Sequence, residues 1–250
     1  MIAVITGASS GIGRDLAYLL AERGWQLVLV ARRKDRLEEL QDSLPTKCMI
    51  LPLDLSKAEN CYTLYEKTKP YQVDLLVNGA GFGIFGEFSE TDLDRELELI
   101  DLNIRAVHIL SKLFLQKFHR QRRGTLLNIA SSAGYLAGPL MSSYYASKNY
   151  VLRLTQAICE EERRKESNIQ VSVLCPGPVD TEFNQVAGVQ FGVKSLSSRE
   201  VAAYTLQELD KGADVIIPGA GMRSALTLSR LVPDKLRVRI TYHIQKAKQK

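Results

Sequence analysis

At 250 residues, with 45% apolar and 24% charged residues, the chain has the size and composition of one well-buried α/β core, and a wholly disordered polymer is excluded. No apolar run reaches the roughly 18 residues that a membrane helix needs. Cys48, Cys61, Cys159 and Cys175 are scattered, with no C-x-x-C pair and no histidine at ligand spacing, which argues against a disulfide framework or a metal site.

The first strand-like run, 2–6, starts directly after Met1. With no room for a leader, the expected address is the cytoplasm. Further strands are predicted at 26–31, 48–53, 73–78, 124–130, 169–175 and 213–217, as near-continuous apolar runs suited to burial on both faces. Between them, helical periodicity predicts helices at 12–23, 33–43, 57–69, 92–120, 143–166 and 198–211, with Gly24 as a left-handed C-terminal cap for the first. This alternation predicts an α/β fold with a single doubly wound parallel sheet and helices on both faces. Ligands of such sheets sit outside the carboxyl ends of the strands.

The first strand runs into Thr6-Gly7-Ala8-Ser9-Ser10-Gly11-Ile12-Gly13. Glycines permit a tight turn with close backbone approach, and the following helix offers free N–H groups to a pyrophosphate. Placed between the first strand and helix of a βαβ unit, the turn points to a dinucleotide, and without Gly-Lys-Ser/Thr it does not suit a nucleotide hydrolase. The second strand ends in Ala31-Arg32-Arg33, where an NAD site usually carries an acid for the ribose 2′-hydroxyl. A guanidinium there suits a 2′-phosphate, so NADP(H) is expected, with Arg32 ranked first and Arg33 and Arg14 after it.

Tyr144 and Lys148 are one helical turn apart, on one face. An ammonium beside a phenol is expected to lower its pKa and make it a usable acid/base. The preceding strand ends at Ser131-Ser132, whose hydroxyls suit the polarisation of a carbonyl.

The Thr6–Gly13 turn, Asn78-Gly79-Ala80-Gly81, Asn103, Ser131, Tyr144-x-x-x-Lys148 and Pro176-Gly177 occur in order over residues 2–217. Together they resemble the short-chain dehydrogenase/reductase family, which implies a Rossmann-like fold and a soluble NADP(H)-dependent oxidoreductase interconverting a carbonyl and an alcohol. By that resemblance Tyr144 would exchange the proton and Lys148 would hold the nicotinamide ribose. Ser131 would orient the carbonyl, and Asn103 would hold a relay water. The turn residues Gly7, Ser9, Ser10, Gly11, Ile12 and Gly13 would cradle the pyrophosphate. Asp54, with Leu55 beside it, would contact the adenine, and Asn78 and Ala80 would line the ribose side. Pro176, Gly177, Val179 and Thr181 would wrap the nicotinamide. Gly79 and Cys175 replace two usual asparagines, and Gly79 puts a sheet-bracing hydrogen bond in doubt. A homodimer or homotetramer through helices such as 92–120 and 143–166 is implied by analogy.

Phe82, Phe85, 135–141, Pro178 and a lid near 183–198 are expected around the substrate, which favours an apolar ketone or aldehyde. Residues 1–222 are expected to form the oxidoreductase domain and 223–250 its basic tail. From Arg223 onward eight Lys/Arg oppose only Asp234, a net of +7 in a chain of +5, so 1–222 carry −2. The tail suits either a strand or a helix with Val232, Leu236, Ile240 and Ile244 on one face. A solvated or dimer-facing terminus competes there with an anionic membrane surface, and no nucleic-acid partner is expected. The competing readings of the whole chain are an inactive NADP(H)-binding regulator and an adaptor acting through this tail.

Overall fold

Seven strands order as β3-β2-β1-β4-β5-β6-β9, all parallel, in a computed structural model that describes residues 1–188, 195–229 and 231–247. The strands are β1 (Ile2–Thr6), β2 (Gln26–Ala31), β3 (Cys48–Pro52), β4 (Leu75–Asn78), β5 (Gly124–Ile129) and β6 (Ile169–Leu174), then a separate short pair, β7 (Val179–Asp180) and β8 (Leu196–Ser197), and finally β9 (Val215–Ile216). The order reverses between β1 and β4, which opens a crevice at their carboxyl ends.

The apolar strands are explained by what covers them. Ala3 and Ile5 of β1 pack into one cluster with α1 (Gly11–Glu22), α2 (Lys34–Ser43) and α8 (Ser198–Asp210); Val4 packs into the opposite cluster with α3 (Ala58–Thr68), α4 (Leu93–Ile100) and α5 (Val107–Gln121). Successive side chains of a strand point to opposite faces, so a sheet covered on both sides needs apolar residues at every position. Gly24 takes φ +77 just past α1, as a left-handed cap requires.

The structure departs from the sequence expectation in two places and fills in two that the sequence left open. The helix expected over 92–120 is interrupted by a π-helical segment, Asp101–Ala106, between α4 and α5. No proline or glycine signals it. The strand expected over 213–217 shrinks to β9, which pairs with β6 only through Val215 and Ile216, because Pro218 follows and has no N–H to give a ladder. A short helix, α7 (Glu182–Ala187), opens the expected lid, whose residues 189–194 lie outside the described residues. The tail is helical, as α9 (Ala220–Ser229) and α10 (Asp234–Lys246).

Ahead of β6 in the chain runs α6 (Ser142–Arg164), which packs against β5 and β6 and carries the Tyr144 pair. A buried polar chain ties these elements together. Asn78 donates to Asn128 Oδ1 (2.9 Å) and Ser111 Oγ (3.2 Å), and Asn128 donates to Thr155 Oγ1 (2.9 Å). It links β4, β5, α5 and α6 behind the crevice. Among the described residues no helix is long and apolar enough to cross a membrane.

Candidate active site

A cleft of about 400 Å³ lies along the carboxyl ends of the strands. At one end β1 delivers the glycine turn. Gly7 has φ +71, and a Cβ there would stand 2.8 Å from the Ala80 nitrogen; a Cβ on Gly13 would stand 2.4 Å from the Gly7 carbonyl oxygen. Only glycine lets turn, helix and β4 approach this closely. The Ser10 side chain makes no capping bond and the first turn of α1 holds no acid. Its N-terminal N–H groups therefore suit an anion in the cleft.

Thr6 fastens this turn to β4. Its Oγ1 accepts from the N–H groups of Gly79 (3.0 Å) and Ala80 (3.2 Å) and donates to the Val77 carbonyl (3.2 Å). These bonds brace the site where Gly79 had put the bracing in doubt. Thr6 was legible only as the first letter of the motif, not as its anchor.

The two arginines after β2 take different partners. Arg33 donates to Ser9 Oγ (3.1 Å) and pairs with Glu182 (2.8 Å), at the start of α7. Arg32 lines the cleft but pairs with Glu98 (2.8 Å). Thus Arg33, ranked after Arg32 by sequence, is the arginine joined to the glycine turn. Its hydrogen bond holds the Glu182 carboxyl below the usual range.

At the other end, Tyr144, Lys148 and Ser131 converge. Ser131 acts on Tyr144 in the sense that favours its phenolate, and its Oγ donates to the Pro176 carbonyl (3.5 Å). Ser131 Oγ also accepts from the Ala133 N–H (3.1 Å). The Lys148 ammonium donates to the Ile129 carbonyl (2.9 Å) and lies 5.8 Å from the centre of the Tyr144 ring. Burial pushes Tyr144 up to about 12, only partly offset by Ser131, and pushes Lys148 down to about 8. The expectation that Lys148 would lower the Tyr144 pKa is corrected here. Loss of hydration dominates, because burial penalises the charged phenolate. Burial likewise pushes the Cys175 thiol up to about 12, which suits a core residue rather than a nucleophile.

Of the predicted residues, Ser9, Ser10, Gly11, Ile12, Asp54, Leu55, Ala80, Pro176, Gly177, Val179 and Thr181 also line the cleft. One Asp54 oxygen is already used, by the N–H (3.1 Å) and hydroxyl (2.8 Å) of Ser56.

One placement is corrected, and another residue gains a structural role. Asn78 is buried and spends its amide on the polar chain behind the sheet, so it braces the site and does not line the ribose side. Asn103 is fully buried in the π-helical segment. It accepts from the Phe82 N–H (3.1 Å) and donates to the Phe82 carbonyl (2.9 Å) and Ser147 Oγ (3.1 Å). Its side chain positions the β4 turn against α6.

The substrate end is walled by Phe82, Met141, Tyr145, Pro178 and Phe183, whose ring centre is 5.1 Å from that of Tyr144. Sequence reasoning missed Gln245. From α10 it donates to the Tyr145 hydroxyl, and it is fully buried. The partners are 100 residues apart, and no local pattern connects them.

The short chain dehydrogenase family model matches residues 1–190. An uncharacterised oxidoreductase of Staphylococcus saprophyticus is 35% identical over 185 residues, 73% of this chain and 75% of that protein. Among solved structures, a short-chain dehydrogenase from Sphingobium yanoikuyae in complex with NADPH is 30% identical, covers 92% of this chain and 93% of its own, and superposes with a TM-score of 0.82. A short-chain dehydrogenase/reductase from Burkholderia phymatum in complex with NAD is 25% identical over 92% of each chain, with a TM-score of 0.84. The chain belongs to the short-chain dehydrogenase/reductase family.

Proposed function

We propose that this oxidoreductase uses NADP(H) to interconvert an apolar ketone or aldehyde and its alcohol, with Tyr144 as the proton donor in reduction. The observation that carries the reading is the placement of Tyr144, Lys148 and Ser131 together on the lining of one cleft, which begins at an uncapped, glycine-lined helix N-terminus. When bound, the dinucleotide would supply the hydride at nicotinamide C4.

The residues of the cleft suit that partner. The first turn of α1 would hold the pyrophosphate. Arg33, with Arg32 beside it, would grip a 2′-phosphate by exchanging a carboxylate partner, Glu182 or Glu98, for the ligand's charge. Ala31 leaves no acid at the end of β2 to repel it. The complex of the Sphingobium relative with NADPH supports this choice, and the Arg33–Ser9 contact supports it independently.

In reduction, Ser131 and Tyr144 would both donate to the carbonyl oxygen and stabilise the negative charge that develops there. A tyrosine whose pKa stands near 12 is neutral at pH 7, so it holds the proton to be given. Lys148, at about 8, is cationic at pH 7 by roughly ten to one. Its charge would stabilise the phenolate left behind. Phe82, Met141 and Phe183 exclude water from this proton transfer and favour an apolar substituent on the carbonyl.

A panel of ketones and aldehydes, followed by NADPH absorbance and repeated with NADH, tests the reading. Turnover of bulky apolar carbonyls with NADPH is expected. Preference for small charged sugars sinks the substrate class, and NADPH binding without turnover of any carbonyl assigns a binding regulator instead.

A further inference from the structure

The tail's charge and apolar residues meet on the outer face of α10. Leu236, Ile240 and Ile244 stand one turn apart and are 50%, 46% and 55% exposed. Their spacing makes one ridge along a helix about 20 Å long. Lys235, Arg239 and Lys246 project beside this ridge. Among the described residues, neither Lys235 nor Arg239 has an ion-pair partner, and the tail's single acid, Asp234, is taken by Arg237. At the turn before α10, Leu231 is 81% exposed. The opposite face is occupied, because Thr241 and Gln245 are buried against the body and Gln245 holds Tyr145 on the cleft wall.

We propose that the outer face of α10 docks on an anionic phospholipid bilayer, with the aliphatic ridge seated among the acyl chains and the cations on the headgroups. The proposal is independent of the reaction read above.

Charge selects this occupant. A twofold contact between copies would set one tail of net +7 against another, with only Asp234, already held by Arg237, to interleave. A contact with α4 of another copy would set the +7 tail against one exposed acid without an ion pair among the described residues of that helix, Asp94, since Glu98 pairs with Arg32 and Arg95 and Asp101 with Arg105. A bilayer with acidic lipids satisfies both the unpartnered cations and the exposed aliphatic side chains.

The test is flotation of the full chain with vesicles of phosphatidylcholine alone, or with about 30% phosphatidylserine added to give a negative surface. The protein is expected to float with the acidic vesicles only, and to be released by about 0.5 M salt, where screening is strong. Each surface cation contributes about fivefold to such partitioning, so Lys235→Glu with Arg239→Glu should weaken it about 25-fold or more. Leu236→Asp with Ile240→Asp should abolish flotation, whereas Tyr62→Asp with Tyr71→Asp, on another exposed surface, should leave it intact. All of these variants are expected to keep the wild-type circular dichroism. No flotation of the wild type at low salt overturns the proposal without recourse to any variant. So does equal flotation with neutral vesicles, and so does concentration-dependent self-association that the α10 variants remove while no vesicle binds.

Discussion

Tyr144 and Lys148 illustrate how burial sets the direction of a proton transfer. The phenol is driven towards its neutral form and the amine towards neutrality as well, yet at pH 7 the first keeps its proton and the second keeps its charge. Tyr144→Phe removes the proton donor and little volume, so cofactor binding by fluorescence titration should persist while kcat falls by about 10²-fold or more; unaltered turnover would reject the assignment. Below about 8 Lys148 is protonated, and above it the charge is lost. The kcat/KM for reduction should therefore decline as pH rises through about 8, and a profile flat to pH 10 would remove Lys148 from the step. Arg33→Ala deletes a charge-assisted contact worth about 1.5–3 kcal/mol. It should raise the Kd for NADPH by about 10- to 100-fold and leave NADH nearly unchanged; equal losses for both would show that Arg33 does not read the 2′-phosphate. At this scale the sequence was legible where chemistry follows local spacing, as in Tyr144 to Lys148 or the glycine turn. It was illegible where side-chain direction decides, as in Arg33 over Arg32, and where the partner is distant, as in Gln245 with Tyr145.

The elements were legible in order and kind, because strands buried on both faces must be apolar throughout and their helices only on one side. Boundaries failed where a few residues close the sheet, at β9, and where tertiary contacts override periodicity, at the π-helical segment. There the Asn103 amide clasps the backbone of Phe82, a constraint that no helical pattern announces. The layer beneath is held by Phe114 and Phe118 on α5, both fully buried, with Phe114 edge-on to Tyr65 at 5.7 Å. Phe114→Ala should cost about 3–5 kcal/mol in urea unfolding. Tyr62→Ala, on the exposed side of α3, should cost less than about 0.5 kcal/mol. Equal losses would mean that α5 is not the keystone of that layer.

For the molecule as a whole, the surface carries a second apolar row, distinct from the tail. Leu93, Leu97 and Ile100 on α4 are 69%, 49% and 40% exposed, and the exposed Tyr150 of α6 shares a 2.7 Å hydrogen bond with His108 of α5. Exposed rows of this kind mark protein contacts, and the family analogy points to a homodimer or homotetramer. Light scattering after gel filtration should read a mass of two or four chains, and Leu97→Glu with Tyr150→Glu should reduce it to one. A monomeric wild type would leave the analogy without support.

The strand order also has a consequence for synthesis. β1 is made first but sits in the middle of the sheet, and its partner β4 lies far downstream, with Thr6 opposite Asn78. At ribosomal rates of about 5–20 residues per second, the interval between them lasts on the order of 4 to 15 seconds. Throughout it, a strand of almost unbroken apolar residues has one edge without its neighbour. The nascent chain thus carries a hazard that the finished protein conceals, and fragments ending before residue 75 should aggregate where the full chain does not.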